Sequence, residues 1–67
     1  MNLIPLNEVC FRTASSRHFI TTNVAAGRFP APLQLGERKQ VWVLAEVESW
    51  LQERAAARRV PAQAVAA

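Results

Sequence analysis

The stretch Gly27-Arg28-Phe29-Pro30-Ala31-Pro32 does most to limit what this chain can fold into. Two prolines one residue apart remove two backbone donors, hold φ at about −65° and push the residue ahead of each out of the helical region. No helix crosses it. Before the prolines, apolar residues recur at helical spacing; just after them they alternate with polar ones, the period of a strand. The segment therefore joins a helical half to a ribbon.

In the helical half, Leu6, Val9, Cys10 and Thr13 stand at i, i+3, i+4 and i+7, one face of a short helix. It is predicted to run from a cap at Asn7 to about Ala14, with Glu8 where the helix dipole favours negative charge. Of Ser15 and Ser16, Ser16 is the expected cap of a second helix. That choice puts Ile20 and Val24 on one face and Gly27 at the C-terminal stop. Two helices of about seven and ten residues with so short a turn read as a helix-turn-helix. Such turns usually carry glycine, and here the candidate is Ala14.

Beyond the prolines, Leu33-Gln34-Leu35 and Gln40-Val41-Trp42 are predicted as two half-buried strands, with Gly36-Glu37-Arg38-Lys39 as the hairpin between them. Arg38 and Lys39 are then two cations at its tip. A third helix follows, with Leu44, Val47, Trp50, Leu51 and Arg54 on one face and Glu46, Glu48 and Gln52 turned outward. Alanine favours helix, so this helix is expected to continue to about Arg59, before Pro61. The expected fold is mainly α with a two-stranded β wing, a small winged helix-turn-helix. Its DNA-binding domain covers 1–54, and 55–67 holds the end of the third helix and an alanine-rich, frayed tail.

Composition narrows the function classes. The chain has 67 residues, 51% of them hydrophobic; but twelve of these are alanine, leaving twenty-two larger apolar side chains, enough for one small core and not two. A single cysteine, Cys10, excludes an intramolecular disulfide and a cysteine-based zinc site. It is expected in the core beside Trp42 and Trp50. No metal or cofactor is expected. The sequence has no carboxylate pair, Ser/His/Asp set or phosphate-cradling glycine loop, and only one histidine, so no enzymatic activity is expected. No apolar run approaches the roughly 18 residues of a membrane span, and no basic segment precedes an apolar one at the N-terminus. The expectation is a cytoplasmic protein without membrane contact.

The net charge is +3 and the sequence pI about 10.6. Residues 9–41 carry Arg12, Arg17, Arg28, Arg38 and Lys39 against Glu37 alone, a net of +4, whereas residues 42–67 balance three arginines with three glutamates. Positive charge thus gathers on the helix pair and the ribbon, where a phosphate-facing surface needs it. In a winged helix-turn-helix the second helix enters the major groove by its N-terminal residues. Arg17, His18, Thr21 and Thr22 are the residues expected at the groove, with Ser16 capping the helix. Arg17 suits a bidentate guanine contact. Arg28 is expected at a phosphate, and Arg38 and Lys39 at a neighbouring backbone or minor groove. His18 meets either DNA or solvent. Phe29 is expected to plug the gap between the second and third helices, and Phe11 to be exposed, at a protein contact.

The stretch from Ile4 to Arg54 resembles the AlpA-type phage and prophage regulators, small winged-helix DNA-binding proteins related in fold to the MerR-like excisionases. The resemblance rests on Leu6 to Arg17, Ala25 to Trp42 and Glu46 to Arg54. These hold Gly-x-Phe-Pro-x-Pro, then Leu-Gly-x-Arg, a Trp, and Glu-Val-x-x-Trp-Leu. It implies a transcriptional activator or a recombination directionality factor of a mobile element, with Arg17, the second helix and the ribbon tip meeting DNA. Where the family commonly has Gly-Leu-Ser-Arg, this chain has Ala14-Ser15-Ser16-Arg17; Phe19 is expected to point inward and refill the volume of the missing leucine.

The expected function is sequence-specific binding of double-stranded DNA, in transcription regulation or excision. One such module buries only about 600–1,000 Å² on DNA, so neighbouring copies of the chain on repeated sites are expected partners, with an integrase or RNA polymerase. The alternative is a phage-type inhibitor that binds a host protein through Phe11, Phe19 and the third helix, without DNA.

Overall fold

The computed structural model describes residues 1–58. Strand β1 (Leu3–Pro5) leads directly into helix α1 (Leu6–Thr13), and helix α2 (Arg17–Ala25) follows after a short turn. The proline segment then connects to β2 (Leu33–Gly36), β3 (Lys39–Val43) and helix α3 (Leu44–Ala57). The molecule is thus three helices with a three-stranded antiparallel sheet of order β1-β3-β2, an arrangement compatible with a small winged helix-turn-helix.

The third strand is a correction to the two-stranded wing. Leu3, Ile4 and Pro5 pair with Val43, Trp42 and Val41, and the Leu44 N–H donates to the Asn2 carbonyl at 2.8 Å. Pro5 sits at the strand's end, where its missing donor breaks no ladder. It also displaces the expected Asn7 cap: Pro5 is itself the N-cap residue, extended at φ −81° and ψ 173°, and α1 starts at Leu6 without a side-chain cap.

Both helices of the pair end in the same hydrogen-bond pattern. After α1, the Ser15 N–H donates to the Cys10 carbonyl (2.9 Å) and the Ala14 N–H to that of Phe11 (3.2 Å). After α2, Arg28 donates to Asn23 (2.8 Å) and Gly27 to Val24 (3.1 Å). These are Schellman closures, which place one residue in the left-handed region. Gly27 takes it at φ 76°, and Ala14 takes it at φ 52°. The turn that lacks glycine therefore keeps glycine's geometry.

The core lies between the helices and one sheet face. Val9, Ile20 and Val47 are fully buried, with Ile4, Phe29 and Trp42 beside them; each large apolar side chain so buried contributes about 1.5–3 kcal/mol. Leu6, Cys10, Val24, Leu44, Trp50 and Leu51 pack around them half-buried, so Cys10 and Trp50 border the core rather than fill it. The register puts Ile4 and Trp42 on this inner face and Leu3, Pro5, Val41, Val43 and Leu33 on the other. On that outer face Val41 is buried outside the core cluster, while Leu3 and Leu33 are each 41% exposed.

Three further expectations change. Every residue of β2 is exposed, so Leu33 and Leu35 do not make a half-buried strand. Phe19 is 42% exposed and does not refill the turn. Helix α3 ends at Ala57, two residues short of Arg59, where Arg58 turns extended. The expected tail, including Pro61, lies outside the described residues.

Candidate nucleic-acid interface

Helix α2 starts cleanly because Ser16, extended at φ −81° and ψ 162°, accepts the Phe19 N–H on its Oγ at 3.0 Å. Its carbonyl accepts the Ile20 N–H at 3.1 Å. The N–H groups of Arg17 and His18 stay at the open end, where a helix favours an anion. Ile20 and Val24 turn inward and leave Arg17, His18, Thr21 and Thr22 exposed. His18 and Thr22, four residues apart, share the outer face.

Thr21 is placed differently. Its hydroxyl bonds within the helix, to the carbonyls of Arg17 (2.9 Å) and His18 (3.2 Å). With Val24, Ala25, Pro32, Gln40 and Trp42 it lines a depression of about 210 Å³ between α2 and β3. It is exposed at the rim of this depression, one turn after Arg17 and next to the face formed by His18 and Thr22.

The connector after α2 is held at several points. The Trp50 indole N–H donates to the Arg28 carbonyl at 2.7 Å, and the Trp42 indole N–H to the Pro30 carbonyl at 2.9 Å. Between these two carbonyls Phe29 is buried and meets Trp50 edge-on, ring centres 4.7 Å apart. Phe29 thus packs against α3 as expected. The tryptophans add what sequence spacing did not show, since each indole pins a carbonyl of the segment that carries Arg28.

Arg28 is exposed, and its Nε donates to Asn23 Oδ1 at 3.2 Å. Asn23 Nδ2 in turn donates to the Phe19 carbonyl at 2.8 Å. Arg17 and Arg28 flank the two ends of a nine-residue helix, about 13 Å long by its rise per residue. That length is comparable to the roughly 12 Å width of a major groove.

At the far side, Glu37 and Arg38 form the hairpin loop, and Gly36 pairs with Lys39. Arg38 therefore stands at the tip, while Lys39 is the first residue of β3. Neither loop residue has positive φ, and the ladder absorbs the turn by an irregular step between Gln34 and Gly36. Gln40 Nε2 donates to Gln34 Oε1 at 2.9 Å across the ribbon, and Gln34 Nε2 donates to the Gly36 carbonyl.

Among the described residues one ion pair forms, Arg12 Nε to Glu8 Oε2 at 2.9 Å. Arg12 is thereby neutralised locally, whereas Arg17, Arg28, Arg38 and Lys39 have no carboxylate partner there. The fold brings Ser16, Arg17 and His18 together at the N-terminal end of α2, with Thr21 and Thr22 one turn further along, places Arg28 beyond the other end, and sets Arg38 and Lys39 apart on the wing. Asn23 was not among the residues singled out from the sequence; its link to Arg28 depends on the Schellman turn, which spacing alone does not reveal.

The family model described as Prophage CP4-57 regulatory protein (AlpA) matches residues 2–55. The chain belongs to this family. No curated protein and no solved structure matches it significantly. Among the described residues, no helix is long and apolar enough to cross a membrane.

Proposed function

We propose that the chain is a regulatory protein of a mobile element that binds double-stranded DNA in a sequence-specific way, as a winged helix-turn-helix. The observation that carries this reading is the capped N-terminus of α2, with Arg17 and His18 exposed on it and, among the described residues, no carboxylate paired with Arg17. On this reading Arg17 reads a base edge and Ser16 fixes the helix start. His18 and Thr22 face the groove, with Thr21 at its margin. Arg28, Arg38 and Lys39 hold phosphates. The chain works as a binding protein, not an enzyme, in the cytoplasm where its DNA lies.

One module offers little area, so copies side by side on repeated sites supply useful affinity. The apolar outer face of the sheet, with Leu3 and Leu33 each 41% exposed, supports such neighbour contacts. The product is either an excisionase that assists an integrase or an activator that recruits RNA polymerase. Sites phased beside an attachment site favour the first, and a lone promoter favours the second.

A second reading rests on Phe11, 82% exposed on α1. It is a module that binds a host protein without DNA. Chromatin capture of the tagged protein, followed by gel shifts on the recovered duplexes, separates the two. Recurrent sites that shift at physiological salt support DNA binding. No enriched site and no shift even at low salt, with a stable protein partner in pull-down, overturns it.

A further inference from the structure

The Arg28 side chain has two places to go. It lines an open cleft of about 750 Å³ shared with Phe29, Ser49, Trp50 and the acidic residues Glu46 and Glu53 on α3. An exposed guanidinium in a cleft with carboxylates can form a surface ion pair, worth about 0–1 kcal/mol, so a single competing hydrogen bond is enough to decide where it points. Yet Arg28 forms no ion pair with the described residues. Its Nε is held instead by Asn23 Oδ1 at 3.2 Å, and its own backbone N–H donates to the Asn23 carbonyl at 2.8 Å. Asn23 is itself fixed, through Nδ2 to the Phe19 carbonyl at 2.8 Å. The Arg28 carbonyl is pinned by the Trp50 indole at 2.7 Å. Backbone and side chain are therefore both set, and the two terminal nitrogens of the guanidinium remain as free donors at the surface.

We infer that Asn23 is a positioning residue, which holds Arg28 away from Glu46 and Glu53 and presents its terminal nitrogens to a phosphate of the duplex backbone. The inference rests on the DNA-binding reading. Engaging Nε leaves the two Nη groups, which match the two oxygens of a phosphodiester. Asn23 adds no contact to the nucleic acid. It sets which anion Arg28 meets, the protein's own carboxylates or the DNA's.

The test measures affinity of the full chain for a short labelled duplex of arbitrary sequence across a range of salt, since a phosphate contact is independent of sequence. Arg28→Ala is expected to lower the slope of log affinity against log salt by about 0.9, the loss of one phosphate contact. Asn23→Ala should reproduce most of that loss in slope, with affinity down several-fold. Combined with Arg28→Ala, it should do nothing further. Alanine is a better helix former than asparagine, so Asn23→Ala should keep the thermal midpoint. Adding Glu46→Gln and Glu53→Gln to Asn23→Ala should restore the slope, judged against a protein carrying the two glutamines alone. A wild-type slope in Asn23→Ala overturns the assignment when Arg28→Ala loses its slope. So does a double variant that binds more weakly than Arg28→Ala by itself. A wild-type protein that fails to bind duplex at low salt overturns the DNA-binding reading itself, and the role of Asn23 with it.

Discussion

Ala14 shows how much one residue's conformation matters here. It closes the α1–α2 turn in the left-handed region at φ 52°, where an L-residue costs about 1–2 kcal/mol. Glycine would relieve that strain but raises the entropy of the unfolded chain by about 0.5–1 kcal/mol. Ala14→Gly is thus expected to stabilise the domain by about 0.5–1 kcal/mol and raise the thermal midpoint by roughly 2–8 °C. DNA affinity should stay unchanged, because Ala14 lies outside the proposed interface; a melting curve at or below the wild-type midpoint contradicts this. Residues whose roles are local were legible from sequence. Ser16 caps α2 and Gly27 stops it through bonds to residues three to four positions away. The Asn7 cap failed because β1 carries the backbone into α1 through Pro5, and that pairing with β3 is a long-range event.

At the scale of elements, strong periodicity was read correctly and short pieces were not. Helix α3 and the inner faces of α1 and α2 follow their apolar spacing. Strand β1 has three residues, one of them proline, and three residues carry no usable period. Strand β2 alternates leucine with glutamine, a pattern that reads as half-buried; yet it is an edge strand, exposed along its whole length, with Leu33 on the outer face. The wing yields a prediction of its own. Arg38 at the tip and Lys39 beside it have no carboxylate partner among the described residues. Arg38→Ala or Lys39→Ala should weaken binding alike on cognate and unrelated duplexes, and lower the salt slope by about 0.9 for each contact removed. A slope equal to wild type in both variants rules out a wing contact.

For the whole molecule, three surfaces divide the work. The inner sheet face and the helices make the core, and the outer sheet face stays apolar. The exposed side of α2, the connector and the wing carry Arg17, Arg28, Arg38 and Lys39, none of them in an ion pair among the described residues. The Arg12–Glu8 pair refines the charge asymmetry read from sequence, since within residues 9–41 it leaves those four cations without an ion pair among the described residues. Contacts through the outer face are expected to act between copies already held side by side on DNA. Leu33→Gln with Leu35→Gln should leave binding to a single site unchanged and reduce cooperativity across two adjacent sites. Footprints that keep their wild-type steepness contradict that role.

The central claim is that α2 reads DNA by its N-terminal end, and Arg17 tests it most directly. Affinities of the wild-type and Arg17→Ala proteins are measured at one fixed salt concentration, on a site recovered by chromatin capture and on a scrambled duplex. The expected result is a loss of about 1–3 kcal/mol on the recovered site, well beyond the loss on the scrambled one. Equal affinity of the two proteins for the recovered site would contradict the claim.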